Sequence, residues 1–204
     1  MEPVRPSESE SRNRVLDAAY PLFVQQGYKA VSMQQIADAV SINKATLYHH
    51  FRSKDDLFLA VVHVAMRRIR ADIEAVVQGC DSAQEQLVRI AAMMFRSNQG
   101  DLGRLMTDAH EFLPMEARLS VIRGETAPWD LYDSVFRTAV ESGSLPEIDI
   151  RLASTMFIGL VYGQNLARKI GRIDTPLDES VARTIVDVLF AGLRSSAPSA
   201  TAVA

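Results

Sequence analysis

The sequence has one cysteine, one tryptophan and no long apolar run among its 204 residues. A lone cysteine, Cys80, excludes an internal disulfide and is typical of a protein kept in a reducing cytoplasm. The longest weakly polar run, residues 152–167, is too short to span a bilayer and contains Gln164 and Asn165. No basic segment followed by an apolar core opens the sequence. We therefore expect a cytoplasmic protein that has no membrane partner.

Patterns typical of enzymes and metal sites are also absent from the sequence. There is no glycine-rich phosphate loop and no Gly-x-Ser-x-Gly motif. His110-Glu111 lacks the second histidine that a zinc-protease helix needs four residues after the first. Asp108, His110 and Glu111 form either a metal-binding group or a solvated helical turn, and Cys80 is either a small core residue or a reactive thiol. We predict no catalytic residue, no metal, no cofactor and no enzymatic activity.

The formal net charge of −3 is unevenly distributed. Residues 1–70 carry ten Lys and Arg against seven Asp and Glu, whereas residues 71–204 carry twelve against eighteen. A mildly basic first third joined to an acidic remainder suits a protein that touches a polyanion at one end only.

Three helix-start signals lie close together in residues 32–54. Ser32 and Gln35, and then Ser53 and Asp56, have capping-box spacing, and Asn43 between them is a good N-cap residue. The pattern predicts a helix over 33–39, a tight turn over 40–42, a second short helix over 44–50 and a longer helix from 54. Two short helices joined by such a turn have the dimensions of a DNA-binding helix-turn-helix.

The rest of the chain also shows helical periodicity and no sustained two-residue alternation, which predicts an all-α protein. A first helix ends at Gln26 before a Gly27 cap, with Pro21 in its interior. We expect Gly100 and Gly103 to interrupt the pattern of the middle helices. We predict an N-terminal arm with a three-helix DNA-binding domain over 1–53, a larger helical ligand-binding and dimerisation domain over 54–194, and a disordered tail over 195–204.

The first turn of the second short helix is the candidate base-contacting segment. Lys44, Ala45 and Thr46 lie at its N-terminus, where side chains meet base edges in the major groove. Ser32 and Lys54 stand at the starts of two other helices, where backbone N–H groups favour a phosphate. Purely structural interpretations are also open, in which Ser32 and Ser53 only cap helices and Lys44 is a solvated charge.

Residues 12–62 resemble the N-terminal domain of the tetracycline-repressor (TetR) family of transcriptional regulators. The shared features are Ala18-Ala19, Leu22-Phe23, Gly27-Tyr28, Ser32-Met33, Ile36-Ala37, Thr46-Leu47-Tyr48, Phe51, Ser53-Lys54 and Leu57. The sequence departs from the family at Ser41 and Ala45, where the family usually has glycines. A serine in the left-handed region is expected to strain the turn by about 1 kcal/mol.

The resemblance implies that Tyr48 and His49 contact phosphates. We include the helix-start residues Met33 and Asn43 in the same predicted DNA-binding surface.

A stripe of small residues recurs every four positions near the C-terminus, at Thr155, Gly159, Gly163 and Ala167. Such a stripe lets a second helix approach closely, either within the monomer or across a dimer interface. Family members dimerise through their last two helices, so the resemblance favours a homodimer. We add to the predicted interface Val181, Ile185 and Val188 of the last helix.

Aromatic, methionine and polar residues of the middle helices form the candidate ligand site, in the region where family members hold their effectors. The same residues can also be ordinary core, since methionine and aromatic side chains fill helical cores. The predicted ligand-contacting residues are Met94, Phe95, Met106, His110, Phe112, Trp129, Tyr132, Phe136, Tyr162 and Asn165.

These patterns together predict a homodimeric DNA-binding regulator. We expect a repressor that leaves a palindromic operator when a small lipophilic or aromatic effector binds. The alternative is an all-helical carrier or enzyme whose N-terminal helices only pack.

Overall fold

The computed structural model describes residues 7–96 and 100–195. Every regular element within them is an α-helix, which confirms the predicted all-α class. No helix in these two ranges is long and apolar enough to cross a membrane. The predictions for residues 1–6 of the arm and 196–204 of the tail lie outside the described residues. The helices of the described part are α1 (Glu8–Gln26), α2 (Met33–Ala39), α3 (Lys44–His50), α4 (Lys54–Gln78), α5 (Ala83–Arg96), α6 (Gly100–Phe112), α7 (Met115–Arg123), α8 (Trp129–Glu141), α9 (Ile150–Lys169) and α10 (Glu179–Ser195).

The starts of α2 and α3 are fixed by the local capping contacts that their sequences predict. Asn43 Oδ1 accepts from the backbone N–H of Thr46 at 2.7 Å, and Ser32 Oγ accepts from that of Gln35 at 3.1 Å. The capping box predicted at Ser32 is only half formed, because the Gln35 amide donates to Gln26 Oε1 at 3.0 Å instead. One side-chain bond is therefore enough to set the start of α2.

The prediction that Gly100 and Gly103 interrupt the helical pattern is wrong. The helix α6 begins at Gly100 and continues through Gly103. Leu102, Leu105 and Ala109 bury one face of this helix. Burial of that face outweighs the cost of about 1 kcal/mol that a glycine brings to a helix interior.

The chain divides into two compact units. The first unit contains residues 1–68 and 101–127, and the second contains residues 69–100 and 128–204. The first unit thus includes α6 and α7 in addition to the N-terminal helices. The functional boundary between residues 53 and 54 remains a prediction.

The first unit is built around an aromatic cluster at the end of α1. Phe23 and Phe58 are fully buried and meet edge to face, with ring centroids 4.8 Å apart. Tyr28 packs 5.0 Å from Phe58, and α1 packs against α2, which packs against α3. Helices α2 and α3 have seven residues each and are too short to persist alone, so this shared core is what stabilises them.

The second unit places α5 at its centre, packed against α8, α9 and α10. Phe136, Phe157 and Phe190 lie fully buried in its core. At the surface, Glu85 of α5 accepts from Arg183 of α10 at 3.1 Å. The helices that carry the predicted dimer stripe are therefore anchored from one side by α5.

Candidate nucleic-acid interface

The first turn of α3 is exposed, as a base-contacting turn must be. Asn43, Lys44 and Ala45 are exposed, whereas Leu47 on the opposite face of the same helix is fully buried. Phe51, just after α3, is also fully buried. The two apolar anchors hold the short helix on the core and leave its N-terminal side chains free to meet a groove.

The turn between α2 and α3 is a Schellman motif with a serine in the position that usually needs glycine. Ser41 N–H donates to Asp38 O at 3.1 Å and Ile42 N–H donates to Ala37 O at 3.0 Å, which is the paired pattern of this motif. Ser41 has a φ of 56° and is the one non-glycine residue of the described chain with a positive φ. The departure from the family's glycine therefore leaves the turn geometry intact.

We predict that Ser41→Gly stabilises the protein. Relief of left-handed strain is worth about 1–2 kcal/mol, offset by about 0.4–1 kcal/mol of extra freedom in the unfolded chain. The urea midpoint should rise with an unchanged m-value, corresponding to a gain of about 0.5–1 kcal/mol. The matched control is Ala75→Gly, exposed within α4, which should lower stability by about 1 kcal/mol. A lower midpoint for Ser41→Gly would contradict the assigned strain.

Further polar and aromatic groups lie along the exposed side of α3. Tyr48 is 43% exposed, and Lys44 Nζ lies 5.8 Å from the centre of its ring. His49 Nε2 lies 3.4 Å from Glu8 Oε1 of α1, and both side chains are largely exposed. Thr46 is half-buried and donates its hydroxyl to Asn43 Oδ1 at 2.9 Å. The structure thus brings together the residues predicted to surround the base-contacting turn.

Met33 is a correction to the predicted DNA-binding surface. Its side chain is buried in the first unit, so it cannot reach DNA, and only its backbone N–H at the start of α2 could do so. Ser32 beside it is exposed, with its hydroxyl capping the helix. The N-terminus of α2 is thus a position for a backbone contact with phosphate rather than a side-chain contact.

Lys54 has partners inside the protein that the sequence did not predict. Its ammonium donates to Lys29 O at 3.3 Å and lies 4.3 Å from the centre of the Tyr28 ring. Burial lowers the pKa of Lys54, against an opposing effect of the Asp55 carboxylate. A phosphate would have to compete with these contacts for the ammonium.

Sequence reasoning missed the part of α1 that lies beside α3. Ser11 Oγ lies 3.1 Å from His50 Nε2, and the Arg12 guanidinium lies 4.8 Å from the centre of the Phe51 ring. Both residues are far from α3 in the sequence, so no local signal connects them with it. Arg12 adds an exposed cation to this side of the first unit.

Helix α6 contacts the end of α1, and these contacts were also not predicted from the sequence. Arg104 Nη2 donates to Gln26 O at 3.1 Å, and Asp108 accepts from the Tyr28 backbone N–H at 2.7 Å. Phe112 stacks on Tyr28 with ring centroids 5.2 Å apart. The arginine fills the space beside Gly27, where an added Cβ would lie 2.4 Å from Arg104 Nη2.

The predicted ligand residues are divided between the two units. Met106, His110 and Phe112 belong to the first unit, where Phe112 has the packing role described above. His110 is exposed on α6 and is not buried among the aromatic and methionine side chains with which the prediction grouped it. The helix continues through Gly103, which turns Ala109 inward and His110 outward.

The other predicted ligand residues belong to the second unit. Met94, Phe95 and Phe136 are buried in its core, so the structure gives them a packing role. Asn165 donates its amide to Val161 O, one turn earlier in α9, at 3.4 Å. Trp129, Tyr132 and Tyr162 are the members whose polar atoms have no strong acceptor among the described residues.

Most of the predicted dimer residues lie at the surface of the second unit. Gly159 and Gly163 are exposed, and an added Cβ at either position would meet no atom within 4 Å. Val188 is 66% exposed, whereas Ile185 is buried in the core and is a correction to the predicted interface. The remaining members are Thr155, which is exposed, and Ala167 and Val181, which are half-buried.

No group of three His, Cys, Asp or Glu side chains within residues 7–96 and 100–195 is placed to hold a metal ion. A short helix held by apolar anchors, preceded by a tight turn and presenting its N-terminal turn outward, defines a helix-turn-helix DNA-binding protein.

Comparisons with known proteins support this class and narrow it. Residues 15–61 match the family model of bacterial regulatory proteins of the tetR family. The helix-turn-helix transcriptional regulator UidR of Escherichia coli K12 is 26% identical over 168 residues, which cover 80% of this chain and 84% of UidR. The regulator BetI of Rhizobium meliloti is 30% identical over 99 residues, which cover 48% of this chain and 46% of BetI.

Among solved structures, the TetR-family regulator PfmR from Thermus thermophilus superposes with a TM-score of 0.68 at 29% identity. The superposition covers 88% of this chain and 98% of PfmR. Residues 15–61 are thus a DNA-binding domain of the TetR family of helix-turn-helix transcriptional regulators.

Proposed function

We propose that the protein is a cytoplasmic, homodimeric repressor that binds a palindromic operator and is released from it by a small lipophilic or aromatic effector. The observation that carries the DNA-binding part is the exposed first turn of α3, held by buried Leu47 and Phe51. A single turn of this size contacts few base pairs, so two copies are needed for selectivity.

In this proposal the contacts divide into two classes. Lys44, Ala45 and Thr46 approach base edges, where an ammonium recognises guanine and a methyl group packs against the methyl of thymine. Phosphates are contacted by exposed groups around this turn and by helix N-termini, which fix the orientation without selecting sequence. This second class comprises Ser32, the Met33 backbone, Asn43, Tyr48, His49 and Lys54.

Selection of bound duplexes from a random DNA pool tests the proposal directly. We expect enrichment of a near-palindrome whose half-sites are centred about 10–10.5 base pairs apart, or a multiple of this distance. Retained binding to duplex DNA without enrichment of any sequence would contradict operator recognition. It would favour the alternative of a helical carrier or enzyme.

Two lysine substitutions should separate base contacts from phosphate contacts. Lys44→Ala should lower affinity for the selected operator and relax preference at one base pair, with about tenfold less discrimination there. Lys54→Ala should weaken binding to all duplexes about equally and reduce the slope of log K against log salt by about one. Fluorescence anisotropy with operator, mutated operator and random duplex at several salt concentrations measures both effects.

The matched control removes a cation of the second unit, exposed Arg137 on α8. Arg137→Ala should change neither base preference nor salt slope. If Lys44→Ala instead weakened every duplex equally, Lys44 would be a phosphate contact. If Lys54→Ala left the salt slope unchanged, its internal contacts with Lys29 O and Tyr28 would be its whole role.

An exposed apolar face of α9 supports the proposal that the protein is a dimer. Residues four positions apart share a helix face, so the small-residue stripe and its apolar neighbours lie together. Soluble monomers rarely leave such a face uncovered. The exposed large apolar residues of α9 and α10 and of the residue that follows α9 are Leu152, Met156, Leu160, Leu166, Ile170 and Val188.

Release by the effector would be a shift between two populations of the dimer. An effector that binds one arrangement of the two DNA-binding units more tightly than the other shifts the protein toward it. An arrangement whose two α3 helices do not match successive major grooves loses operator affinity. A ligand that binds tightly to the protein and leaves operator affinity unchanged would contradict this mechanism.

A further inference from the structure

Three aromatic side chains of the second unit carry hydrogen-bond donors that lack a nitrogen or oxygen acceptor among the described residues. Trp129 Nε1 is buried and has no partner. Tyr132 Oη meets only the thioether sulfur of Met94, at 4.0 Å, and thioethers are weak acceptors. Tyr162 Oη has no partner in the described chain. A buried donor without an acceptor is costly, so the Trp129 indole needs an explanation, and the two tyrosine hydroxyls near it also lack a strong acceptor.

The three donors belong to one neighbourhood. The Trp129 and Tyr132 rings on α8 have centroids 6.4 Å apart. Tyr162 of α9 is close enough to Tyr132 for its charge to raise the pKa of the Tyr132 hydroxyl, although burial of Tyr132 is the larger cause. Met93 and Met94 of α5 pack in the same core, and their flexible side chains can move to admit a ligand.

Among the described residues, this neighbourhood offers no free cation that could neutralise an anionic ligand. Burial raises the pKa of Tyr162 to about 12, and no positive charge opposes this effect on either tyrosine. The guanidinium of Arg70 is held by Asp130 at 2.6 Å and by Glu74 at 3.0 Å, so two carboxylates balance its charge. An anionic ligand group would lose its hydration here without gaining a counter-charge.

We propose that the effector is an uncharged, largely apolar molecule that carries a carbonyl-type acceptor, as in a ketone, an ester or a lactone. The indole of Trp129 and the hydroxyls of Tyr132 and Tyr162 donate to this acceptor, and apolar side chains hold the remainder of the molecule. A carboxylate lacks a counter-charge in this site, and an ammonium would give up its hydration for neutral tyrosine oxygens. This inference rests on the proposed ligand-responsive function.

The single tryptophan of the sequence makes the test direct, because all indole emission comes from Trp129. The dimeric protein is titrated with two series that each contain a ketone, a carboxylate and an amine of similar size. The aliphatic series is 2-undecanone, decanoate and decylamine, and the aromatic series is 2-acetylnaphthalene, 2-naphthoate and 2-naphthylmethylamine. Binding of the aliphatic compounds is measured by the change in Trp129 emission. Binding of the aromatic compounds is measured by calorimetry, because the fluorescence of naphthyl groups would obscure that emission. We expect the ketone of at least one series to bind at least tenfold more tightly than its carboxylate and its amine.

Removal of a donor should weaken only the ligands that carry an acceptor. Tyr162→Phe and Tyr132→Phe should each raise the Kd of the bound ketone about fivefold and leave that of a matched alkane or alkylnaphthalene unchanged, as expected for one lost hydrogen bond. Neither variant should have a lower thermal midpoint without ligand, because each removes a hydroxyl that has no good partner. Tyr20→Phe in the first unit is the control and should leave ketone affinity unchanged.

Tighter binding of the carboxylate or the amine would overturn the inference, as would failure of both ketones to bind up to their solubility limits. Equal loss of ketone and hydrocarbon affinity in the tyrosine variants would also overturn it, because it would indicate a packing role. Operator binding measured in parallel distinguishes this result from the proposed function. If a ketone binds as expected but does not release DNA, the proposed site chemistry is supported and ligand-responsive repression is contradicted. If decanoate alone releases DNA, ligand-responsive repression is supported and the proposed site chemistry is contradicted.

Discussion

Gly163→Arg should convert the protein into a folded monomer that has lost operator binding. The position lies on the exposed face of α9, and a Cβ added there would have no neighbouring atom beyond its own stretch of helix within 4 Å. Within the monomer the substitution should not lower the free energy of unfolding, because the helix propensity of arginine is more favourable than that of glycine by up to about 1 kcal/mol. Across a close helix–helix interface, the long charged side chain has no room. The solution mass should halve, and affinity for the selected operator should fall about 100-fold or more, because the second half-site no longer contributes.

The matched control places the same side chain on a different helix of the second unit. Thr138 is exposed on α8, and Thr138→Arg should leave both the dimer and operator affinity unchanged. Analytical ultracentrifugation and anisotropy measure the two properties, and urea unfolding verifies that the Gly163→Arg monomer is folded. A Gly163→Arg protein that remains a dimer with full operator affinity would remove α9 from the proposed interface.

Phe58→Ala should be the most destabilising single substitution in the first unit. The side chain is fully buried and contacts both Phe23 and Tyr28, whose ring centroids lie 4.8 and 5.0 Å away. Truncation of a buried phenylalanine to alanine costs about 3–5 kcal/mol, because it removes apolar burial and leaves a cavity. This is a large fraction of the roughly 5–15 kcal/mol that stabilises a typical domain. We expect α2 and α3 to lose their support, and operator binding to fall with them.

Phe58→Leu is the control, since it keeps most of the apolar volume and should cost about 1–1.5 kcal/mol. Urea unfolding followed by circular dichroism gives the free energies, and anisotropy at a temperature well below the midpoint gives operator affinity. If Phe58→Ala cost less than Phe58→Leu, the aromatic cluster would not be the support of the helix-turn-helix. If stability fell while operator affinity stayed unchanged, α3 would be held by other contacts.

The short helices were predictable because their ends are encoded locally. The bounds of α2 and α3 were predicted correctly, since Ser32 and Asn43 cap helices that begin at the very next residue. The exposure of Lys44 and Ala45 also follows from sequence, because Leu47 and Phe51 fix which face of α3 is buried. In each case the deciding residues lie within one or two helical turns of each other.

Predictions that depended on which face of a helix is buried were less accurate. His110 was grouped with the aromatic and methionine residues of the middle helices, whereas α6 leaves its side chain exposed. Met33 was included among the DNA contacts on its position at a helix start, although its side chain belongs to the core. Ile185 belongs to an apolar stripe in the sequence, and only the packing of α10 against α5 shows that it is buried within the monomer.

The contacts between α6 and the end of α1 affect when the chain can complete its folding during synthesis. The bonds from Arg104 to Gln26 O and from Tyr28 N–H to Asp108 close loops of 78 and 80 residues. The three N-terminal helices leave the ribosome well before α6, yet their aromatic cluster is incomplete until Phe112 arrives. Contacts of such long sequence separation form late, because the entropy of closing the loop must be overcome first. A fragment that ends at residue 53 would thus lack the groups that finish the end of α1, and the helix-turn-helix should mature only after about half of the chain has been translated.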